Sequence, residues 1–233
     1  MNYAIIAAGD GSRLKEEGID LPKPLVRVNE MTLIERLIGI FLKNNADSIS
    51  VIVNNEMKEV HRYLAALQLP VPFHVVIEST PSSMHSFYQL SPFLSGGKFC
   101  LSTVDTIFKE SEFSSFIQTF MNDDENDGLM AVTEFIDDEK PLYVDVDLAS
   151  RMIKSFDDTR NRHQQFISGG IYGLTNRALP ILQQCMDEGI YRMRNYQRRL
   201  LTAGLRLKAF PFRKIIDVDH LTDIAKAEQF ILS

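Results

Sequence analysis

The sequence predicts a single α/β domain. Its sheet is mixed and mostly parallel, flanked by helices, with a small antiparallel subregion. Three observations carry this. Short apolar runs alternate with helical periods over the first 120 residues. This alternation is the pattern of strands joined by crossover helices. Closely spaced strand-like runs follow between about 129 and 174, too close together for helices to lie between them. With 233 residues, 45% apolar and 24% charged, the chain has ordinary globular composition and suits one core of that kind.

Tyr3 to Ala8 reads as a buried first strand that breaks into a loop at Gly9. The loop continues to Pro24. Thr32-Leu-Ile-Glu35 has the form of a capping box, and apolar residues from Leu33 to Leu42 follow at helical spacing. Strands are expected at Ile49 to Val53, Phe73 to Ile77 and Phe99 to Val104. Helices are expected at Met57 to Leu67, Ser83 to Phe93 and Phe113 to Met121. The acidic stretch Asn122 to Gly128 reads as a loop. Leu129 to Phe135, Leu142 to Val146 and Met152 to Phe156 read as short strands of an antiparallel insertion or edge subregion. Phe166 to Leu174 reads as a strand broken at Gly169-Gly170. Helices near Arg177 to Glu188 and Asn195 to Thr202, strands at Leu205 to Ala209 and Ile215 to Val218, and a helix from Leu221 to Ile231 complete the chain. No internal repeat or linker separates a second domain, so residues 1–233 are read as one unit.

Composition bounds the function. The formal net charge is -6, from 31 acidic and 25 basic residues, which argues against bulk attraction to nucleic acid or anionic membrane. No window approaches the apolar length of a membrane span, and the N-terminus lacks the basic flank of a signal peptide. Cys100 and Cys185 cannot build a disulfide framework, so a reducing cytoplasm is the expected compartment. The five histidines are scattered, and none falls in a zinc motif.

The chemistry concentrates near the start. Ala7-Ala8-Gly9-Asp10-Gly11-Ser12-Arg13-Leu14 follows the first strand, and Leu21-Pro22-Lys23-Pro24-Leu25 follows that loop. Glycines after a strand bring backbone N–H donors close to an anion. Arg13 adds a planar charged fork and Lys23 a compact cation, and the prolines beside Lys23 hold its backbone extended. The segment is neither a P-loop, because no lysine stands at that spacing after Gly11, nor a dinucleotide fingerprint, because Leu14 takes the place of the third glycine. Sites on such sheets lie at the carboxyl ends of strands, which places Gly9 and Asp105 on one edge.

Together these residues resemble the signature of the nucleotidyltransferases that make NDP-sugars and CDP-alcohols, a GxGxRL loop followed by PKP or PKxL. The resemblance extends over nearly the whole chain. Val104-Asp105 resembles the family's first metal-binding aspartate. Ser168-Gly169-Gly170 resembles its acceptor-contacting Asn-Ala-Gly, with Ser-Gly in place of Asn-Ala. Asp217-Val218-Asp219-His220 resembles the late stretch that carries a second metal ligand. Residues 122 to 165 carry no matching motif. Ser82 to Phe87 is most similar to members that handle CTP and choline phosphate.

The resemblance implies a Rossmann-like fold and transfer of a nucleoside monophosphate from an NTP to a small phosphorylated acceptor, either a sugar 1-phosphate or an alcohol phosphate such as phosphocholine. Pyrophosphate is released. It implies Mg²⁺ held by Asp105 and Asp219, with Asp217 as the alternative second ligand. It assigns Arg13 to the leaving pyrophosphate and Lys23 to the α-phosphate. It places the nucleotide against Ala7, Ala8, Gly9, Gly11, Ser12, Ser83 and Ser86, and the acceptor against Gly169 and Gly170.

Several features keep other readings open. Asp219 is also a candidate N-cap for the last helix. Asp145-Val-Asp147 is a DxD pair of the kind metal-dependent glycosyltransferases use, although exposed alternation on a strand explains it as well. A non-catalytic nucleotide sensor is a further alternative, and it predicts loss of Lys23 or of a metal carboxylate. The arginines at 192, 194, 198, 199 and 206 read as a solvated helix face.

Overall fold

The computed structural model describes residues 1–137 and 139–233. The chain begins with β1 (Asn2–Ile6), the short α1 (Ser12–Glu16) and a 3-10 turn at Lys23–Leu25. β2 (Arg27–Val28) and β3 (Met31–Thr32) form a two-stranded ribbon ahead of α2 (Leu33–Lys43). Next come β4 (Ser48–Val53), α3 (Lys58–Ala66), β5 (Phe73–Ile77), α4 (Ser83–Leu90), β6 (Lys98–Thr103), β7 (Thr106–Ile107) and α5 (Glu110–Met121). The second half holds β8 (Gly128–Thr133), β9 (Tyr143–Val146), β10 (Ile153–Asp157), β11 (Phe166–Thr175), α6 (Ala178–Asp187) and α7 (Met193–Thr202). It closes with β12 (Leu207–Phe212), β13 (Ile216–Asp217) and α8 (Leu221–Leu232).

β5, β4, β1 and β6 run parallel, as alternating strands and helices require. Both faces of these strands are covered, so from Tyr3 to Ala8 the run is apolar at every position. Tyr3, Ile5 and Ala7 enter the core under α2, α3, α5 and α8, while Ala4, Ile6 and Ala8 enter the core under α4, α6 and α7.

The antiparallel strands form an edge subregion of the main sheet and not a separate insertion. They extend the main sheet to nine strands. β11 pairs antiparallel with β6 through Ile171–Thr175, and with β9 through Phe166 and Ile167. Its other edge pairs with β8, which pairs in turn with β12 in parallel. β11 is therefore one continuous strand across Gly169-Gly170, with a register shift between Ser168 and Tyr172 instead of a break. Inward residues such as Val132, Val144, Phe156 and Phe166 complete the second core, which explains their apolar alternation.

Helix boundaries follow local signals. The Thr32 hydroxyl accepts the Glu35 N–H at 3.2 Å, one half of the expected capping box. Lys98, at the start of β6, reaches the carboxyl end of α5. Its ammonium donates to the carbonyls of Phe120 (3.1 Å) and Met121 (3.0 Å) at the last turn and of Asp123 (2.9 Å) just beyond it; Phe120 O also takes the Asp123 N–H at 3.2 Å. Replacing Lys98 with methionine keeps the stem and removes the cation. This change is expected to cost about 1–2 kcal/mol. In a urea titration that means a lower midpoint at an unchanged slope, and an unmoved midpoint would show that the cap is idle.

Candidate active site

β1, β4 and β6 end on the same edge of the sheet. The segments that follow them, with the loop after β5, enclose a cleft of about 540 Å³. Ala7, Ala8, Gly9, Gly11, Ser12, Arg13, Lys23, Ser83, Ser86, Asp105 and Asp219 all line it. A chain segment from the N-terminal loop thus meets one from the C-terminal end, which sequence order alone does not show.

The two loop glycines differ in role. Gly11 has φ +60°, in the left-handed region, and a Cβ there would lie 3.2 Å from Lys23 Cβ. Its missing side chain therefore allows both the turn and the close approach of the Pro-Lys-Pro segment. Gly9 has no left-handed backbone, and a Cβ would meet nothing within 4 Å. Its bare surface is open space on the cleft wall, and the turn itself needs only Gly11. Asn54, at the end of β4, fixes the loop from below. Its amide donates to Ala8 O (3.3 Å) and Asp10 Oδ1 (3.1 Å), and its own oxygen takes the Glu56 N–H at 3.0 Å. Sequence reading passed over Asn54, although its place after a parallel strand is the available signal.

Lys23 is the centre of the site. It is buried, and its ammonium contacts Asp105 Oδ2 and Asp219 Oδ1, each at 2.5 Å. Asp219 Oδ2 also takes Arg13 Nη1 at 2.8 Å. Burial pushes the Lys23 ammonium toward losing its proton, but the two carboxylates outweigh burial and hold it above the ordinary lysine range. Burial likewise pushes the Asp105 carboxyl up. The Lys23 charge, with hydrogen bonds from Lys23 and Thr103, leaves it below the ordinary carboxyl range. Lys23 and Asp105 thus hold each other in their ionised forms at neutral pH.

Asp219 is not the N-cap of α8. That place falls to His220, whose N–H donates to Asp223 Oδ2 at 2.9 Å. Asp217 pairs in β13 with Thr106 of β7, and it lines two neighbouring pockets but not the main cleft. Asp219, two residues on, points where Asp105 does.

Gly169 and Gly170 lie outside the main cleft. Gly170 lines an adjoining pocket of about 290 Å³ that shares Ser83, Thr103, Asp105 and Asp219 with it. Gly169 lines a separate space of about 240 Å³ beside Asp217 and Asp219. Gly170 has φ +72°, and a Cβ would press on the hydroxyls of Thr106 (3.1 Å) and Thr103 (3.3 Å). Gly170→Ala is expected to lower stability by about 1–2 kcal/mol, read as a lower melting temperature. An unchanged value would mean that β11 relaxes at no cost.

Asp145 and Asp147 are absent from the cleft wall. The Asp147 carboxylate closes the turn after β9, accepting the N–H groups of Ala149 (3.1 Å) and Ser150 (3.0 Å), with Lys154 at 3.2 Å. Most of the arginine cluster forms surface pairs: Arg194 and Arg198 with Asp158, and Arg199 with Glu188. Arg192 differs, because it lines the pocket beside Gly170.

Comparison with known proteins decides the family. The MobA-like NTP transferase domain matches residues 3–194, most of the chain. The chain belongs to the MobA-like NTP transferase family. The match covers the glycine loop after β1, Lys23 and Asp105, so these residues belong to an NTP transferase domain.

Among curated proteins, this NTP transferase is similar to the bifunctional protein GlmU of Thermodesulfovibrio yellowstonii. They are 22% identical over 99% of this chain, which spans about half (52%) of the GlmU length. Three solved structures share the fold. One is the inositol-1-phosphate CTP transferase of T. maritima, with TM-score 0.80 and 19% identity over 99% of this chain and 97% of that one. Another is a Bacillus anthracis protein assigned as a glucose-1-phosphate thymidylyltransferase, with TM-score 0.86 and 17% identity over 99% and 94%. The third is HddC from Yersinia pseudotuberculosis, with TM-score 0.74 and 20% identity over 98% of each chain. They show the nucleotide-diphospho-sugar transferase fold expected from the sequence. Among the described residues, no helix is long and apolar enough to cross a membrane.

Proposed function

We propose that the protein transfers a nucleoside monophosphate from an NTP to a sugar 1-phosphate or alcohol phosphate and releases pyrophosphate. The carrying observation is the ammonium of Lys23, held between Asp105 and Asp219 in the wall of a cleft of about 540 Å³. The acceptor phosphate oxygen attacks the α-phosphorus, the new P–O bond forms, and the bond to the β-phosphate oxygen breaks. A phosphomonoester loses its second proton near about pH 6, so the nucleophile is already an anion and the site needs no general base. Its task is to position two polyanions and to offset their charge.

Each residue has a place in that task. Lys23 holds the α-phosphate and stabilises the crowded transition state. Arg13, 44% exposed at the cleft rim, receives the leaving pyrophosphate. Ala7, Ala8, Gly9, Gly11 and Ser12 face the nucleotide. Ser83 opens α4 beside it, and Ser86 orders the adjoining loop through its 2.6 Å hydroxyl contact with Thr80. Gly169 and Gly170 shape the acceptor side.

The pair Asp105 and Asp219 fits a hard divalent ion. Mg²⁺ typically takes one or two carboxylates and completes its shell with phosphate and water, and no larger His, Cys or carboxylate cluster occurs among the described residues. When bound there, Mg²⁺ would supply further charge neutralisation at the phosphates. Reactants and products of this kind, a charged NTP and a small phosphate, suit a cytoplasmic enzyme.

Pyrophosphate release with Mg²⁺, across the common NTPs and a panel of sugar 1-phosphates and alcohol phosphates, tests the reading. Release that requires both one NTP and one acceptor is expected. Folded protein that is inert with every pair would overturn it.

A further inference from the structure

The pocket beside Gly170 is roofed by the first turns of α7, and its chemistry selects among acceptors. We infer that Gln197 and Arg192 are the acceptor-specificity residues, and that they select a hydroxyl-bearing polyol phosphate over a trimethylammonium alcohol phosphate. The inference rests on the nucleotidyl-transfer reading above.

Gln197 is 2% exposed, yet its side chain lines the pocket. Its amide oxygen accepts the Ser168 hydroxyl at 3.1 Å. This fixes the amide plane and leaves the NH₂ group, which donates to nothing among the described residues. The Nε2 is not sealed off, so it is a donor that an oxygen in the pocket can take. Ser168 stands where the family motif has asparagine, so an amide reaches this pocket from α7 instead of from β11. A sugar or cyclitol hydroxyl is the matching acceptor group.

Arg192 supplies the charge. Its backbone has φ 75° and ψ 138°, a conformation that disfavours any residue with a side chain. Its neighbours enforce the conformation: Tyr191 stacks on His85 with ring centroids 5.2 Å apart, and Met193 is buried. Strain of this kind persists where the surroundings over-determine it, and such positions cluster at ligand sites. Among the described residues the Arg192 guanidinium makes no ion pair or hydrogen bond. Asp105 and Asp219, in the same wall, are already engaged by Lys23 and Arg13. Arg192 is thus placed to receive an anionic or hydroxyl oxygen and to repel a quaternary ammonium. Quaternary ammonium groups are held by aromatic faces, and the one aromatic in this wall, Tyr172, is 7% exposed.

The test compares glucose 1-phosphate and inositol 1-phosphate with phosphocholine, for wild type, Gln197→Met and Arg192→Gly. Wild type is expected to use a polyol phosphate with kcat/KM at least ~100-fold above phosphocholine, since a site built to bind hydroxyls rejects analogues lacking them. Gln197→Met should raise the acceptor KM about 10- to 100-fold and leave the NTP KM unchanged. Arg192→Gly should raise the acceptor KM about tenfold while the melting temperature holds or rises, because glycine relieves the strained backbone. A wild type that prefers phosphocholine overturns the inference. So does an Arg192→Gly protein that melts lower with an unchanged acceptor KM. If no pair releases pyrophosphate, the transfer reading fails instead, and calorimetric binding of the same three phosphates decides this one. Binding of a polyol phosphate that Gln197→Met weakens supports it, and equal binding by the variant, or none by wild type, overturns it.

Discussion

Lys23→Ala is expected to lower nucleotidyl transfer by about 10³-fold, the scale of losing a preorganised charge at a developing oxyanion. The ammonium is held by two carboxylates and seated against Gly11, so it meets the α-phosphate already ordered, and the reorganisation cost was met on folding. The fold should survive. Removing one partner of a sealed ion pair costs several kcal/mol. Here, however, the Asp105 and Asp219 side chains are 21% and 36% exposed, and Asp219 keeps Arg13, so solvent and the remaining cation offset much of the loss. Lys23→Arg is not expected to rescue activity, because a planar fork does not fit a slot shaped for one compact ammonium. The checks are single-turnover pyrophosphate release together with a melting curve. A folded Lys23→Ala protein with an unchanged rate would remove Lys23 from the mechanism.

The second large effect belongs to the carboxylates. Asp105→Asn should lower the rate roughly 10³-fold, because a divalent ion contributes several kcal/mol at a phosphoryl centre and each 1.36 kcal/mol is tenfold. Asp219→Asn should do the same, and both should raise the Mg²⁺ concentration needed for half-maximal rate. Asp217→Asn separates the alternatives, since its side chain lines the neighbouring pockets and not the cleft where Lys23, Asp105 and Asp219 meet. Its effect should stay within a few-fold, with the Mg²⁺ dependence unmoved. If Asp217→Asn is the more damaging change, the second carboxylate has been assigned to the wrong residue. Stability should respond in a definite direction as well. The Lys23 charge leaves the Asp105 carboxyl below its ordinary value, so this pair stabilises the fold at neutral pH. That contribution is lost as pH falls through the folded-state value, and Asp105→Asn should remove this part of the acid sensitivity.

Local features of the sequence determined most of the frame. The alternation of apolar runs and helical periods specifies parallel strands covered on both faces, because side-chain burial sets that period residue by residue. The GxGxRL loop and the Pro-Lys-Pro segment are legible for the same reason. Gly11 sits where only glycine turns easily, and Lys23 is marked by its flanking prolines, although it opens a 3-10 turn where the sequence predicts an extended course. Asp105 was marked by its place at the end of a strand.

Tertiary structure decided what depends on partners far along the chain. Periodicity reports which face of a strand is buried but not which strand lies beside it. Residues 129–157 therefore read as an insertion or an edge subregion, and the structure decides for the edge, where they extend the main sheet through β11. The choice between Asp217 and Asp219 turns on contacts with Lys23, 196 positions away from Asp219. Composition gives both aspartates equal standing, and on an extended chain they would share a face; β13 ends at Asp217 and the chain turns, with Asp219 N donating to Asp217 O at 3.1 Å, so the two carboxylates part. Arg192 and Gln197 were hidden for a related reason. An arginine-rich helix looks solvated in sequence, and only the packing of α7 brings the Gln197 amide against Ser168 of β11 and puts Arg192, on a strained backbone, in the wall of the pocket beside Gly170.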